Sequence, residues 1–422
     1  MTMTAHTPRI LTDGETVLMA AYDSAPPADH NEARTTAINA LRELGLPTRR
    51  LEAFHYTDLR ALLRGKYKIA ERPSEEDARA IGTGFPRLVE DASVLHFRDG
   101  HYFDWGDELP KGILVDAQLP APAGADDAVA RINTAFASSG ASITIQANAE
   151  VEKIVGIAHA HTGAEDTVAA MRTCIVAESG SSCRLIDRAV GKNDVFYLHS
   201  SLVDLDIKDG ATVNYVLSIE EGDAAQRLAQ FNVTMGETAT LNLFILNAGG
   251  KLVRQEINFD VMGEGANLNI SGVNLVGGEA HIDVTSRITH HVPDTNSQET
   301  FRNVTTGRGR GVFQGQINVR QAAQQTDARM ACNTLLLSDD CDFSAKPELE
   351  IFADDVQCAH GATVTDIEES YMFYLMARGI SETRARRMLI KAFVAEIVEE
   401  LEDQPLIEAL ERRIDIWMEQ HV

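Results

Sequence analysis

The chain has 422 residues, and its 63 acidic and 38 basic side chains give a formal net charge of −25, which argues against nucleic acid as the main partner. The length suggests two or three domains, and the hydrophobic content of 44% is ordinary for a globular protein. No run of about 18 apolar residues occurs, so we expect no membrane span. The N-terminus, MTMTAHTPRILTDGET, lacks the apolar segment of a secretory signal, which predicts a cytoplasmic protein.

The first part of the chain is predicted to be helical. Apolar residues recur at helical spacing over Glu15–Tyr22 and Asn31–Leu44, whereas the charged stretch Pro73–Ala80 is expected to be a loop or a helix end. Short apolar runs separated by glycines over Ser93–Val115 predict hairpins or the first strands of a sheet. We therefore predict an N-terminal helical domain over residues 1–92.

From about Ser142, runs of four to nine residues with strand character follow one another without an intervening helical pattern. This excludes a doubly wound α/β fold for the region. Asn214, Asn242 and Asn269 occupy the same place in three similar segments, GATVNY, ETATLNLF and EGANLNIS, and GATV occurs again at Gly361. A near-constant spacing of this kind is typical of a β-solenoid, while a sandwich or barrel of hairpins is the alternative.

The chain is predicted to become helical again over residues 365–422. Three helical segments are expected there, two or three of them amphipathic: one ending at Gly379, one starting at Ser381 with Leu389, Phe393 and Ile397 in a row, and one over Leu406–Met418. Helices that follow a solenoid either cap its open end or bind a partner, and both roles remain open. The β region between the helical parts is predicted to span residues 93–364, with leading strands over 93–141.

The main candidate site lies in the segment KPELEIFADDVQCAHGATV. Leu349, Ile351 and Val356 favour strands on either side of a turn, and Cys358 and His360 are two residues apart, so their side chains project from the same face of a strand. A neighbouring imidazole lowers the pKa of a thiol, and both groups are ligands for iron or zinc. Gly361 is expected to let the backbone turn. An ordinary buried cysteine beside a structural histidine is the alternative interpretation.

The other four cysteines receive no role from the sequence. They are Cys174, Cys183, Cys332 and Cys341, and in a chain without an export signal they are expected to be reduced thiols.

The remaining motifs are weaker. Gly307–Gly315 and Gly191–Asn193 lack the Walker pattern, so the chain is not expected to bind ATP through a phosphate-binding loop. A second set could supply metal ligands or catalytic acids but is better explained by structural roles and solvated turns; it comprises His281, His290, His291, Asp294, Asp339, Asp340 and Asp342. The last three resemble the acidic clusters of β-helix polysaccharide hydrolases, which keeps a carbohydrate-active enzyme as an alternative function.

Several long segments together resemble the SufB/SufD family of the SUF iron–sulfur cluster assembly system, and its SufD branch in particular. LPTRRLEAFHYTDL near the N-terminus, HHVPDTNSQETFRNV and GRGVFQGQINVRQAAQQTDARMACNTLLLSDDC in the β region, and KPELEIFADDVQCAHGATV followed by FYLMARGI occur in the family's order. SufB usually reads His-Glu-Ala where this chain has His360-Gly361-Ala362, which favours SufD.

The resemblance implies a mainly β protein, with a right-handed parallel β-helix between two helical domains. It implies a non-catalytic scaffold subunit that pairs with SufB through the β-helix and binds the ATPase SufC through residues 365–422, with a homodimer as the alternative when SufB is absent. A nascent iron–sulfur cluster would form at the SufB–SufD interface, with Cys358 and His360 as this chain's ligands and reduced flavin as an option for the complex. A purely structural partner without cluster ligands remains an alternative.

Overall fold

The computed structural model describes residues 10–25, 29–122 and 127–422. The N-terminal residues 1–9, which belong to the segment that predicts no export signal, lie outside the described residues. In the described part of the chain, no helix is long and apolar enough to cross a membrane.

Eight α-helices are described, five before or within the first strands and three at the C-terminal end. They are α1 Asp13–Asp23, α2 Asn31–Leu44, α3 Leu59–Leu62, α4 Glu75–Gly84, α5 Ala128–Phe136, α6 Glu369–Ala377, α7 Glu382–Val398 and α8 Gln404–His421. The helices predicted near the N-terminus are confirmed. The stretch Pro73–Ala80, expected to be a loop or a helix end, contains the N-terminal end of α4, which begins at Glu75, and three acidic residues in the first turn favour that position.

The strands of the described residues fall into a short leading group and a long regular series. The leading group is β1 Lys68–Ile69, β2 Ser93–Arg98, β3 His101–Phe103 and β4 Ile113–Asp116. The regular series is β5 Ser139–Ile145, β6 Val155–Ala160, β7 Thr167–Ala177, β8 Ser182–Val190, β9 Tyr197–Ile207, β10 Thr212–Glu220, β11 Gln226–Met235, β12 Thr240–Asn247, β13 Leu252–Val261, β14 Asn267–Val276, β15 His281–His290, β16 Asn296–Thr305, β17 Arg310–Val319, β18 Asp327–Leu336, β19 Asp342–Ile351 and β20 Gln357–Asp366.

The regular series forms a parallel β-solenoid, which confirms the predicted fold class. Successive strands alternate between two sheets, so that β5 to β19 with odd numbers lie in one sheet and β6 to β20 with even numbers lie in the other. Asn214, Asn242 and Asn269 are register partners on β10, β12 and β14. The side-chain amide of Asn242 donates to Asn214, and that of Asn269 donates to Asn242, both at 2.9 Å. The repeat seen in the sequence is therefore one full turn of the solenoid.

Alternate residues of each strand point into the solenoid, where they form one apolar core. Its largest fully buried members include Phe259, Phe301 and Phe313, and Phe301 and Phe313 lie with ring centroids 5.0 Å apart. A single turn cannot bury its inward side chains alone, because they are covered only when further turns stack on it. The last turn therefore differs from the others.

The two ends of the solenoid are finished differently. At the N-terminal end, β3 pairs antiparallel with β2 and β4 pairs antiparallel with β5, while α5 packs beside the first turns. At the C-terminal end, β19 pairs with β17 and β20 pairs with β18, and neither has a second partner among the described residues. The C-terminal turn is therefore open.

The C-terminal helices do not cap this open end. Ile390, Val394 and Ile397 of α7 and Leu410, Ile414 and Trp417 of α8 pack on the outer face of the even-numbered sheet. In the row predicted on α7, Ile397 is buried, but Leu389 and Phe393 are only half-buried. Their neighbours Ile390 and Val394 are buried in their place. The third helix, α6, contacts α7 but has no buried residue.

Candidate functional site

Cys358 and His360 lie on β20, the last strand of the solenoid. The register pairs Cys358 with Ala328 and His360 with Met330 on β18, whose side chains point into the core. The turn before this strand, at Asp354 and Asp355, is where the sequence predicts it. Cys358 and His360 therefore occupy inward-facing positions in the one turn that no further turn covers.

This position determines the exposure of the two side chains. Met330 is only 3% exposed, whereas its register partner His360 is exposed and Cys358 is half-buried against the core. The expectation that the imidazole lowers the pKa of the thiol is wrong. Burial raises the pKa of Cys358, and the nearby carboxylate of Asp327 adds to this effect. The surroundings therefore favour the thiol over the thiolate.

Two further expectations about this segment are corrected. Gly361 lies inside β20 and does not turn the chain, and a Cβ added there would meet no atom within 4 Å. The GATV segment at Gly210 is not its structural equivalent, because Gly210 lies in a turn with φ of +68° before β10 begins. Similar letters therefore stand at different places in the solenoid turn.

The free edge of β20 presents an uninterrupted row of backbone donors. Gln357 donates its N–H to Thr326 of the preceding turn at 2.9 Å, and successive N–H groups alternate sides, so those of Cys358, His360 and Ala362 face outward. Such a row is a template for pairing with another strand.

The free edge of β19 is interrupted. Asp342 and Phe352 both donate toward β17, at 3.0 and 2.9 Å, which places the odd-numbered position 347 on the free side. Pro347 stands there and has no N–H, as expected for a proline on an edge strand. The apolar side chains of Ile351, Phe352 and Val364 are 40%, 58% and 43% exposed. The open end therefore has the character of an interface, with β20 as its better pairing edge.

The described residues contain no group of three or more histidine, cysteine, aspartate or glutamate side chains placed to hold a metal ion. Cys358 and His360 are thus two donors, one soft sulfur and one imidazole, at a surface that a partner can reach. A closed four-ligand site requires donors from elsewhere. The arrangement suits a metal or cluster that is shared between two chains.

The other candidate ligands do not gather around a site. His290 is fully buried and hydrogen-bonded to Thr295 and Ser297 at 2.8 and 3.0 Å, while His291 is directed to Asp260 at 2.8 Å. His281 contacts Thr57 at 2.8 Å. The structural role predicted for these histidines is consistent with their contacts.

The acidic cluster lies in a turn and at the start of the strand after it, and the glycine-rich run begins in a turn. Asp339 and Asp340 lie between β18 and β19, and Asp294 lies in the turn before β16 with φ of +56°. Gly307 has φ of +68° in the turn before β17. Because β17 already starts at Arg310, Gly311 and Gly315 lie within the strand, and the interpretation of the whole run as turn glycines is wrong for these two.

Two structural features were not predicted from the sequence. On α6, Tyr371, Phe373 and Tyr374 are 58%, 74% and 55% exposed, so this short helix presents an aromatic face to solvent. The signal was the run YMFYLM, which has apolar residues all around the helix and no polar face. The second feature is Lys346 of the last turn, which reaches Glu52 of the N-terminal segment at 2.8 Å.

The N-terminal segment LEAF is also anchored on the solenoid by a buried arginine. Arg254 donates to the carbonyl of Ala53 at 3.0 Å, and its guanidinium lies 4.6 Å from the ring centroid of Phe54. The same guanidinium forms ion pairs with Asp283 and Glu256 at 2.6 and 3.0 Å. These contacts explain, through packing on the solenoid, why Ala53 and Phe54 are held in place.

Comparison with known proteins gives a consistent result over most of the chain. The family described as "SUF system FeS cluster assembly, SufBD core domain" matches residues 159–393, and "SufBD protein N-terminal region" matches residues 20–81. The chain is 28% identical over 389 residues to the Iron-sulfur cluster assembly protein SufD of Escherichia coli K12, covering 89% of this chain and 90% of that protein. It is 25% identical over 395 residues to an Iron-sulfur cluster assembly SufBD family protein of Synechocystis, covering 87% and 86%.

Proposed function

Since the chain belongs to the SufBD family of the SUF iron–sulfur cluster assembly system, we propose that it acts as the SufD-type scaffold subunit, pairing with a SufB-type solenoid and contributing two ligands to a nascent cluster. The observation that carries the proposal is the position of Cys358 and His360. They are the inward-facing residues of the last turn, where stacking stops and a second solenoid can take the place of the missing turn.

Pairing is proposed to occur through the open end. The outward N–H groups of β20 and the exposed Ile351, Phe352 and Val364 are what a homologous edge would cover. The same surface allows a homodimer when the SufB-type partner is absent. The nascent cluster is the cargo of this interface, and two weak donors from one side allow it to leave.

Binding of the ATPase SufC is proposed to use α6. Its aromatic face is the largest exposed apolar feature of the C-terminal helices, while α7 and α8 are fixed to the even-numbered sheet. Closure of the ATPase around ATP would pull on α6, and α7 would transmit that pull to the solenoid. A small shear at the open end would then expose the thiol of Cys358, whose pKa burial now raises.

In this proposal the chain is not itself a catalyst, and ATP hydrolysis belongs to SufC. Reduced flavin in the complex and a cytoplasmic location stay predictions.

The proposal is tested by His360→Ala with His291→Ala as the matched control, since His291 lies between β15 and β16, outside β20, and its imidazole is directed to Asp260. We expect His360→Ala to keep the SufB and SufC partners during co-purification from cells but to lose cluster assembly. The control variant should retain both properties. Normal cluster assembly with His360→Ala would contradict the ligand role, and failure of the wild-type chain to recover either partner would contradict the scaffold role.

The role of α6 is tested separately by Phe373→Asp. A charge at this exposed position leaves the fold intact but opposes burial against a partner, so SufC should be lost while the SufB-type partner is retained. Ile416→Asp on α8, 45% exposed, is the control and should retain SufC. Retention of SufC by Phe373→Asp would show that SufC binds elsewhere.

A further inference from the structure

A cavity of about 400 Å³ lies on the outer face of the even-numbered sheet, near the N-terminal end of the solenoid and far along the chain from β20. Its walls come from β2, β6 and β8, from α4 and from the segment that follows α4. Leu88, Val94, Ala158, Ile186 and Val190 give it an apolar floor. Its volume and apolar character are those of small-molecule sites.

Four arginines line this cavity, and three of them have carboxylate partners. Arg79 pairs with Glu75 at 2.9 Å, Arg87 with Asp107 at 2.7 Å, and Arg188 with Glu220 at 2.7 and 2.8 Å. These carboxylates balance the charge of three of the four arginines.

The fourth arginine, Arg98 on β2, is different. It is 3% exposed and donates to the carbonyls of Ala78, Phe97 and Ala158 at 3.0, 2.8 and 3.2 Å, but no carboxylate of the described residues lies within ion-pair distance. The adjacent carboxylate of Asp99 is engaged by the N–H and hydroxyl of Thr162. A buried guanidinium without an anion is costly, and burial lowers the pKa of Arg98 to about 10.

Two ring nitrogens at the same cavity also lack partners. His96, 8% exposed, and Trp105 have ring centroids 4.4 Å apart, and neither Nδ1 of His96 nor Nε1 of Trp105 finds a hydrogen bond among the described residues. Both atoms are buried, and buried polar atoms are normally satisfied. The carboxylate of Asp107 lies 3.8 Å from the other nitrogen of His96 but already binds Arg87 and the N–H of Val94.

We propose that this cavity, with Arg98, His96 and Trp105 as its polar end, binds a small carboxylate that has an apolar or aromatic body. The carboxylate would supply the anion missing beside Arg98 and accept from the indole N–H of Trp105. The body would cover the floor formed by Leu88, Val94 and Ile186. This site is separate from Cys358 and His360 and does not depend on the scaffold role.

The test is calorimetric titration of the full chain with 2-naphthoate, which has an aromatic body of suitable size and one carboxylate. We expect a dissociation constant below about 1 mM and at least about tenfold weaker binding of the neutral 2-naphthamide. Trp105→Phe replaces the indole by a phenyl ring, which keeps an aromatic side chain but removes the N–H donor, and it should weaken 2-naphthoate binding about tenfold. Arg98→Gln should weaken it further, while the exposed Arg329→Gln on β18 should bind as the wild type does.

The outcomes separate cleanly. Equal affinity for the acid and the amide, or unchanged binding by both Trp105→Phe and Arg98→Gln, would overturn the proposal, as would the absence of any binding heat. If Arg98→Gln fails to fold, Trp105→Phe and the comparison of acid with amide decide the question alone.

Discussion

The two ends of the solenoid are built on the same strand pairing but finished in opposite ways. At the N-terminal end, short antiparallel strands and α5 cover the first turns, and ionisable groups there are buried in pairs such as His159 with Asp187 at 2.9 Å. At the C-terminal end, β19 and β20 leave one edge each unpaired. The covered turns are stabilised by the elements that pack on them, whereas the open turn leaves strand edges with which another strand can pair.

The difference is visible within one row of register partners. Ile270, Glu299, Met330 and His360 follow one another on β14, β16, β18 and β20. The first three are buried and the fourth is exposed. The same backbone position therefore changes from core to candidate ligand because stacking stops after it.

The largest effect is expected from Arg254→Ala in the covered part of the molecule. This change leaves the carboxylates of Asp283 and Glu256 buried without their cation, and it releases Phe54 and Ala53 of the N-terminal segment. We expect a loss of about 3–5 kcal/mol in the free energy of unfolding, measured by denaturant titration. The exposed Arg329→Ala should change it by less than about 0.5 kcal/mol. If the two variants lost similar amounts of unfolding free energy, the proposed difference between the covered and the open regions would be wrong.

A second effect is expected from Glu299 on β16, whose buried carboxyl shows how far the water-free interior extends toward the open end. Glu299 is fully buried with its Oε2 accepting from Ser286 at 2.9 Å, and burial raises its pKa from the ordinary 4.5 to about 7. The folded chain then holds a proton that the unfolded chain has released. Its contribution to stability is present below pH 4.5 and is lost as the pH rises through 7, about 3 kcal/mol in all.

Glu299→Gln isolates this contribution, since it keeps the shape and removes the titration. Unfolding titrations between pH 5 and 8 should show a steeper loss of stability with rising pH for the wild type than for the variant. Identical slopes would mean that water reaches Glu299, and the open end would then extend two strands further inward.

The sequence predicted the architecture because the solenoid repeats one local rule. Alternating apolar residues, a turn and a near-constant spacing are enough to place Asn214, Asn242 and Asn269 in register. It predicted the pair Cys358 and His360 because two residues in a strand share a face. Both are local properties, and the spacing of residues along the chain is enough to predict them.

The features that the sequence did not predict depend on how distant parts of the chain pack against one another. The pKa of Cys358 is raised because the core of the preceding turn covers it, and the imidazole of His360 does not reverse this. The exposure of α6 follows from α7 and α8 taking the outer face of the sheet. Arg98 reads as an ordinary strand residue, and only its lack of a carboxylate partner distinguishes it.

The smallest effects on stability, and the most direct comparison, come from neighbours in the row, Met330 and His360. Met330→Ala opens a cavity under the last turn and should cost about 2 kcal/mol of unfolding free energy, at the low end for such a change because the nearby open end can relax. His360→Ala removes an exposed side chain and should cost less than about 0.5 kcal/mol. Both variants can be measured alone and again with the SufB-type partner. Only for His360→Ala should the loss of unfolding free energy become larger with the partner, because pairing buries a position that is exposed in the isolated chain. A cost for His360→Ala that is already near 2 kcal/mol in the isolated chain would mean that the last turn is a core layer like the others, and the ligand role would lose its structural basis.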